Sequence, residues 1–288
     1  MFKRRWLCHP LRFPLDMEGD SLKALIAIGV LLLSTPLFAA QLVLELGTQA
    51  RTWQTEELLK HPEARTVRIN EDVSYKKPMS YRAVPLTALL TGVQPDDHLQ
   101  AVALDGFAAE MPAAPLLNQS GARAWLAIED PAAPWPSLGE GKRSAGPFYL
   151  IWTDPQAGHI SPEQWPYALA SIKRLSAVAE RFPALLPAPG LAKDDPLNQG
   201  FALFQKNCLA CHRLNGAGDA QFGPDLNIPF NPTEYFSGDF LKRYIRDPQS
   251  LRRWPQGKMP GFSAAVLPDA ELDLLVGYLK HMAGRKQP

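Results

Sequence analysis

Cysteine is scarce in this chain of 288 residues, which contains only Cys8, Cys208 and Cys211. A structural zinc site needs four ligands. In the commonest sites, two ligands come from one cysteine pair and the other two from a second pair of cysteine or histidine residues. The chain has no second cysteine pair. The sequence therefore does not favour a structural zinc site.

Neither sign of charge is in excess, since 30 Lys and Arg residues face 29 Asp and Glu residues and the net charge is +1. No basic stripe interleaved with aromatic residues appears along the chain. A nucleic-acid-binding protein is expected to show such a basic surface. We therefore expect no nucleic-acid partner.

The chain also has little continuous apolar sequence, whereas a membrane-spanning helix needs about 20 residues of it. The apolar run from Ala24 to Phe38 contains Pro36 and precedes the small residues Ala39 and Ala40. Together with the basic residues at the N-terminus, this pattern is typical of a secretory signal peptide.

We predict that residues 1–40 are a cleaved export signal and that the protein is periplasmic; an uncleaved membrane anchor is the alternative. Met17 is an alternative start, which would remove Cys8. Cleavage after Ala40 removes five basic and three acidic residues, so the mature chain is near neutral.

What the sequence does contain is enough apolar residues, 46% of the chain, for one or two packed domains. Residues 41–180 predict a mixed domain of the α+β class, in which strands outnumber helices. Short helices are predicted at Thr55, taken as an N-cap, and at Pro85 with Gly92 as its end. Asp105 and Gly106 predict a hairpin turn. The predicted strands lie in QLVLELG, RTVRIN, AVALDGFAAEMP, RAWLAIED and GPFYLIWTD.

Residues 181–196 are rich in proline and show no period, which predicts a linker. Residues 197–288 predict a second, all-α domain. The sequence leaves open whether the linker separates the two domains or lets them pack together. Its helices are predicted in DPLNQGFALFQKNCLACHRL, GDFLKRYIRDPQSL and PDAELDLLVGYLKHM.

The pentapeptide CLACH at residues 208–212 carries the clearest chemical signal. Its spacing is that of a c-type haem attachment site, in which two thiols bind the haem and the adjacent histidine binds the iron. A thioredoxin-like pair is expected within a βαβ pattern and leaves the histidine unexplained. A simple disulfide in an oxidising compartment is the remaining alternative.

The order of CLACH, a helix, a loop containing KMPGF and an amphipathic terminal helix resembles the class I cytochrome c family over about residues 196–283. The resemblance implies one covalent haem c, an all-α fold and transfer of single electrons. His281 is a weaker alternative to the implied distal ligand. The implied roles are Cys208 and Cys211 as thioether anchors, His212 as proximal ligand, Met259 as distal ligand and Pro224 as carbonyl acceptor for the His212 ring.

Several cations lie close in sequence to Met259, on the side where this family usually exposes the haem edge. They are expected either to steer an acidic redox partner or to be ordinary surface charges. These cations are Arg243, Arg246, Arg252, Arg253 and Lys258.

Residues 41–180 resemble the molybdopterin-binding domain of the sulfite oxidase family, through YRAVPLTALL, LDGFAAEMP, AWLAIED and GPFYLIW. Enzymes of that family bind molybdenum through a cysteine thiolate, and residues 41–180 contain no cysteine. We therefore expect a domain without molybdopterin that serves docking or ligand binding. The alternative is a molybdenum-dependent oxidoreductase that passes electrons from a sulfite-like substrate to its own haem.

Other polar residues of the first domain are weaker candidates. Glu129 and Asp130 follow an apolar strand and are expected to be a solvated strand end rather than a cation site. The histidines His61, His98 and His159 are expected at the surface. Four tryptophans are expected in the core, namely Trp125, Trp135, Trp152 and Trp165.

Overall fold

The nine strands of the described chain arise from short apolar or alternating segments, as the sequence predicts for most of them. The computed structural model describes residues 40–287. The predicted export signal, apart from Ala40, lies outside these residues together with Cys8. The strands are β1 Gln41–Glu45, β2 Arg51–Gln54, β3 Arg65–Ile69, β4 Met79–Pro85, β5 His98–Ala103, β6 Ala108–Pro112, β7 Arg123–Ile128, β8 Phe148–Thr153 and β9 Leu169–Leu175.

These strands form two sheets. The first has five strands in the order β2-β1-β9-β5-β6, in which only the β1–β9 pair is parallel. The second has four antiparallel strands in the order β3-β4-β7-β8. Strands β2, β4 and β9 were not predicted from the sequence, and β9 connects the first described strand to the β5–β6 hairpin.

Short helices lie among the strands, and helices dominate the residues after β9. The α-helices are α1 Thr55–Leu59, α2 Leu86–Leu89, α3 Ala113–Leu116, α4 Val178–Arg181, α5 Pro196–Asn207, α6 Pro232–Tyr235, α7 Phe240–Arg246, α8 Pro248–Leu251 and α9 Asp269–Ala283. Short 3₁₀ helices cover Pro155–Gly158, Pro162–Gln164 and Pro183–Leu185. The mixed α+β class is thus confirmed, with the sheets first and the helices last.

Two helix starts differ from the sequence predictions. The N-cap of α1 is Gln54 rather than Thr55, and the Gln54 backbone N–H donates to the Glu57 carboxylate at 2.9 Å. Pro85 is the last residue of β4 and caps α2 instead of lying in its first turn. The hairpin turn at Asp105 and Gly106 is confirmed, with Gly106 at φ +90°.

The described chain has two hydrophobic cores, and each core defines one domain. The sheet domain, residues 40–177, surrounds a core in which Trp152, Tyr149 and Tyr81 are fully buried. The helical domain, residues 178–287, has its own core. Trp125 and Trp165 are also buried in the first core, and Trp135 packs against it, as predicted.

The proline-rich segment, residues 181–196, is packed into the core of the helical domain. Leu185 is fully buried in the second core, and its carbonyl accepts a hydrogen bond of 2.6 Å from the Tyr278 hydroxyl. The backbone N–H of Ala188 donates to Nε2 of His281 at 3.1 Å. His281 is therefore engaged in holding this segment. Within residues 40–287, no helix is both long and apolar enough to cross a bilayer.

Candidate functional site

The pentapeptide forms a tight turn at the end of α5. That helix begins at Pro196, after Asp195, whose carboxylate accepts a hydrogen bond of 2.8 Å from the Leu197 N–H. At the other end, the carbonyl of Cys208 accepts from the N–H of Cys211 at 3.0 Å and of His212 at 2.8 Å. This turn brings both thiols and the imidazole together within one segment.

Helix α5 is fixed by its crossing with α9. A Cβ atom on Gly200 would lie 2.3 Å from the Leu274 carbonyl oxygen and 2.6 Å from Cβ of Tyr278. Only glycine allows the two backbones to approach this closely. Phe204 packs beside the crossing against the Tyr278 ring, with centroids 5.5 Å apart. The pentapeptide therefore starts from a rigid helix pair.

The ring of His212 is oriented by the loop that follows. Its Nδ1 atom lies 2.8 Å from the carbonyl oxygen of Pro224. A Cβ atom on Gly223 would lie 2.5 Å from the ring, so this position requires glycine. Burial lowers the pKa of His212, which favours a neutral ring. A neutral imidazole with Nδ1 donating to a carbonyl presents Nε2 as a metal ligand.

Buried asparagines hold the loop that carries Pro224. The Asn227 amide donates to the Asn215 side chain and to the Met282 carbonyl, both at 2.7 Å. The Asn231 amide donates to the Asn227 side chain and to the Leu279 carbonyl, both at 2.9 Å. Both accepting carbonyls lie near the C-terminal end of α9, so these amides tie the loop to the end of that helix.

Met259 lies in the loop between α8 and α9. It is half-buried and packs against the second core, as Cys208 does. The loop returns to the core at Phe262, whose N–H donates to the Ile245 carbonyl at 3.0 Å. The Arg246 guanidinium donates to the Phe262 carbonyl at 2.9 Å. One apolar core is therefore lined by a thiol and a thioether.

Of the five cations near Met259, Arg246 has a structural role. Besides the Phe262 carbonyl, it donates to the Leu267 carbonyl at 2.5 Å and to the Asp269 carboxylate at 2.6 Å. Arg252, Arg253 and Lys258 are exposed, and they form no ion pair within residues 40–287.

The donor set fits a haem c. Cys208 and Cys211 are free thiols, and His212 is a neutral imidazole with an oriented ring. Thioether bonds need free thiols, and a His/Met pair is an established ligand set for haem iron. We infer that Cys208 and Cys211 would hold the group and that His212 and Met259 would bind its iron.

The sheet domain also reaches this site, which the sequence did not predict. Oε2 of Glu163 lies 3.9 Å from Sγ of Cys211. Burial raises the pKa of Glu163 to about 7, although the contact with Cys211 lowers it. Burial and the Glu163 carboxyl group raise the pKa of Cys211 to about 12, and Asp105 adds to this effect. Two acids of the sheet domain are therefore close to the attachment turn.

A buried polar network connects the two domains. The Glu110 carboxylate is bonded to His98, to Gln100 at 2.8 Å and to Arg181 at 2.6 Å. Arg181 and Gln100 also bind the Asp219 carboxylate, at 2.9 Å and 2.7 Å. Burial raises the pKa of Glu110, but hydrogen bonds and charge from His98 and Arg181 outweigh burial and lower it.

The prediction of a surface position for His98 is wrong, since its side chain is 15% exposed and bonded to Glu110. Strand pairing explains this: His98 opposes Pro112, so Glu110 lies diagonally across on the neighbouring strand. A charged residue inside the apolar strand AAEMP was the available signal, because such residues are almost always paired when buried.

The remaining candidates have local roles. Glu129 accepts from the Trp135 N–H at 2.8 Å, and Asp130 accepts from the Ala132 N–H at 2.9 Å. His61 accepts from the Glu63 N–H at 3.2 Å. In the part of the chain that the structure describes, no three His, Cys, Asp or Glu side chains are grouped as a metal site.

Comparison with protein-family models gives a match to the family "Cytochrome c" over residues 197–283. A search of curated proteins gives no match. The helical domain is therefore a C-terminal cytochrome c domain, which supports a haem-based electron carrier with covalently bound haem c. The match ends short of the sheet domain and says nothing about it.

Proposed function

We propose that this protein is an exported cytochrome that carries single electrons on one covalently bound haem c. The observation that carries the proposal is the turn of Cys208, Cys211 and His212, with Nδ1 of His212 2.8 Å from the Pro224 carbonyl. Met259, half-buried in the same core as Cys208, is proposed as the distal ligand.

Haem c with histidine and methionine ligands supplies one-electron transfer and leaves no open coordination position. The chain's own residues set up this chemistry. Pro224 and Gly223 hold the imidazole in one orientation, and the second core packs against Cys208 and Met259.

We propose that the sheet domain resembles the sulfite oxidase family in fold but binds no molybdopterin and acts as a docking module for the cytochrome domain. Support comes from the absence of cysteine in residues 41–180 and from the Glu110–Arg181–Asp219 network. We further propose that the electron partner is an acidic protein that meets Arg252, Arg253 and Lys258, and that the protein is periplasmic.

The first experiment is the iron and molybdenum content of the full chain, produced in a host that makes both haem c and molybdenum cofactor. One covalent haem iron and no molybdenum per chain is the expected result. Near one molybdenum per chain would overturn the docking proposal and favour the molybdenum-dependent oxidoreductase. Protein without covalent haem would overturn the proposed electron carrier itself.

A control for the distal ligand is available within the chain. Met259→Leu is expected to lower the reduction potential, because the thioether ligand favours reduced iron. Met79→Leu, at the start of β4 in the sheet domain, is the matched control and is expected to leave the potential unchanged. Equal potentials for both variants would exclude Met259 as the distal ligand.

A further inference from the structure

The cysteine side of the attachment turn faces the sheet domain. Glu163 is 3.9 Å from the thiol of Cys211. Lys206 of α5 donates to the His159 carbonyl at 2.6 Å. The rings of Phe107 and Phe222 lie 6.1 Å apart, centroid to centroid, across the two domains. Three separate contacts thus surround the turn where the thioethers would form.

The position of Glu163 is fixed by its neighbours on both sides. It lies in the 3₁₀ helix Pro162–Gln164, where the backbone N–H of Ser161 donates to Oε1 of Gln164 at 3.0 Å. The indole N–H of the fully buried Trp152 donates to the Gln164 carbonyl at 2.8 Å. The carboxyl group beside Cys211 is therefore placed by the core of the sheet domain.

Asp105 is the second acid at this turn. Its carboxylate accepts from the Phe107 N–H at 3.1 Å, which fixes it at the tip of the β5–β6 hairpin. The N–H of Leu104 donates to the Ala168 carbonyl at 2.8 Å, so the tip is tied to the segment that follows Glu163. Asp105 is close enough to Cys211 to raise the pKa of its thiol, although it is more exposed than Glu163.

Charge at this position acts on the redox equilibrium of the proposed haem. Ferric haem carries one more positive charge than ferrous haem, so a nearby carboxylate stabilises the ferric form and lowers the reduction potential. The effect is larger for a buried carboxylate, because the effective dielectric constant is lower there. Lys206 is the nearby cation of α5, and its half-buried ammonium group already binds the His159 carbonyl.

We propose that the sheet domain sets the reduction potential of the cytochrome, with Glu163 and, more weakly, Asp105 holding it below the value that the helical domain alone would give. This inference rests on the proposed binding of haem c. It gives the sheet domain a role in electron transfer without requiring a cofactor of its own. Glu163 would act through its charge beside Cys211, one of the residues that would hold the haem, so it is a tuning residue and not a catalytic one.

The test is an equilibrium redox titration of the haem-loaded full chain at pH 9, where the Glu163 carboxyl group is ionised. Glu163→Gln is expected to shift the one-electron equilibrium toward reduced iron about tenfold, which corresponds to about 59 mV. Asp105→Asn is expected to shift it in the same direction by less. Glu163→Asp keeps the charge and is expected to stay nearer to the wild type.

The matched control is Glu56→Gln, which removes an exposed charge in the helix after β2. Strand β2 is at the edge of the sheet opposite β6, the strand that α5 contacts, so no shift is expected. An unchanged potential in Glu163→Gln, or equal shifts in Glu163→Gln and Glu163→Asp, would overturn the inference. If Glu163→Gln does not accumulate, Asp105→Asn decides, and an unchanged potential there overturns it. Absence of haem from the wild type would instead overturn the proposed function.

Discussion

The sheet domain and the helical domain place their polar groups differently. In the sheet domain the buried Asp72 carboxylate is saturated, since it accepts hydrogen bonds from the N–H groups of Ser74 and Tyr75 and from the hydroxyl of Tyr81. In the helical domain the core is lined by Cys208 and Met259. The first domain satisfies its buried carboxylate with its own hydrogen bonds, and the second presents a thiol and a thioether that we propose to bind a haem.

This difference indicates which functional role each domain has. Buried polar groups that satisfy one another make a region rigid. A rigid sheet domain is suited to hold Glu163 and Glu110 in fixed positions against its neighbour. In the proposed function, the helical domain supplies the haem ligands and the sheet domain supplies fixed charge beside them.

The largest expected effect is the loss of the haem. The double substitution Cys208→Ser and Cys211→Ser removes both thiols that can form thioethers, so no covalent haem is expected. Haem staining of the denatured protein measures this directly. Cys8→Ser is the control and is expected to keep full staining, because Cys8 lies in the predicted export signal. Staining retained in the double variant would contradict the assignment of these anchors.

Glu110→Ala is expected to destabilise the protein by about 3–5 kcal/mol, because it leaves Arg181 and His98 without their buried partner. Urea unfolding of the full chain measures this change. Glu45→Ala is the control: its ion pair with Lys173 is exposed, and a loss of no more than about 1 kcal/mol is expected. Similar losses of stability in both variants would mean that the Glu110 network stabilises the protein no more than an exposed ion pair does.

Glu110 also makes the stability of the folded protein depend on pH. The pKa of Glu110 is lower in the folded protein than its usual value of 4.5, so its contribution to stability is present above that pH. The contribution is lost as the pH falls through the folded pKa. Acid unfolding of the wild type is therefore expected to be steeper than that of Glu110→Ala below about pH 4.5. Parallel curves would contradict the lowered pKa.

Much of the architecture was predictable, because apolar period and turn residues are local signals. The segments RAWLAIED and GPFYLIWTD became β7 and β8 as predicted. Strand β9 was missed because LASIKRL mixes apolar and basic residues. It forms a strand because it pairs with β1 and β5, which are distant in sequence. No local sequence pattern indicates such pairing.

The pentapeptide was recognisable because its chemistry depends on spacing along the chain. Glu163 lies in a short 3₁₀ helix and Asp219 in a loop, and their sequence neighbours give no sign of what they contact. Glu163 meets Cys211 across 48 positions of sequence, and Asp219 meets Gln100 across 119. Such contacts are decided by how the domains pack, and the sequence had left that packing open.

A smaller loss of stability is expected when an asparagine that holds the Pro224 loop is replaced. Asn227→Ala removes the amide that bonds Asn215 and the Met282 carbonyl, so a loss of about 2–3 kcal/mol is expected. Asn198→Ala is the control, since its amide bonds only the exposed Ala192 carbonyl. Equal losses in urea unfolding would show that the loop does not depend on the buried amides.

The smallest changes in the free energy of unfolding are expected when two glycines in the crossing helices are replaced by alanine. The two changes are expected to have opposite signs. Gly200→Ala places a methyl group against the Leu274 carbonyl and Tyr278, so a loss of about 1–3 kcal/mol is expected. Gly277 is exposed on α9, and a Cβ atom there would meet no other atom of the described chain within 4 Å, so Gly277→Ala is expected to gain about 0.5–1 kcal/mol. Thermal unfolding of both variants measures the pair. A gain at Gly200 would mean that the close approach of α5 and α9 does not fix the helix that carries the attachment turn, and haem ligation would then depend on the loops alone.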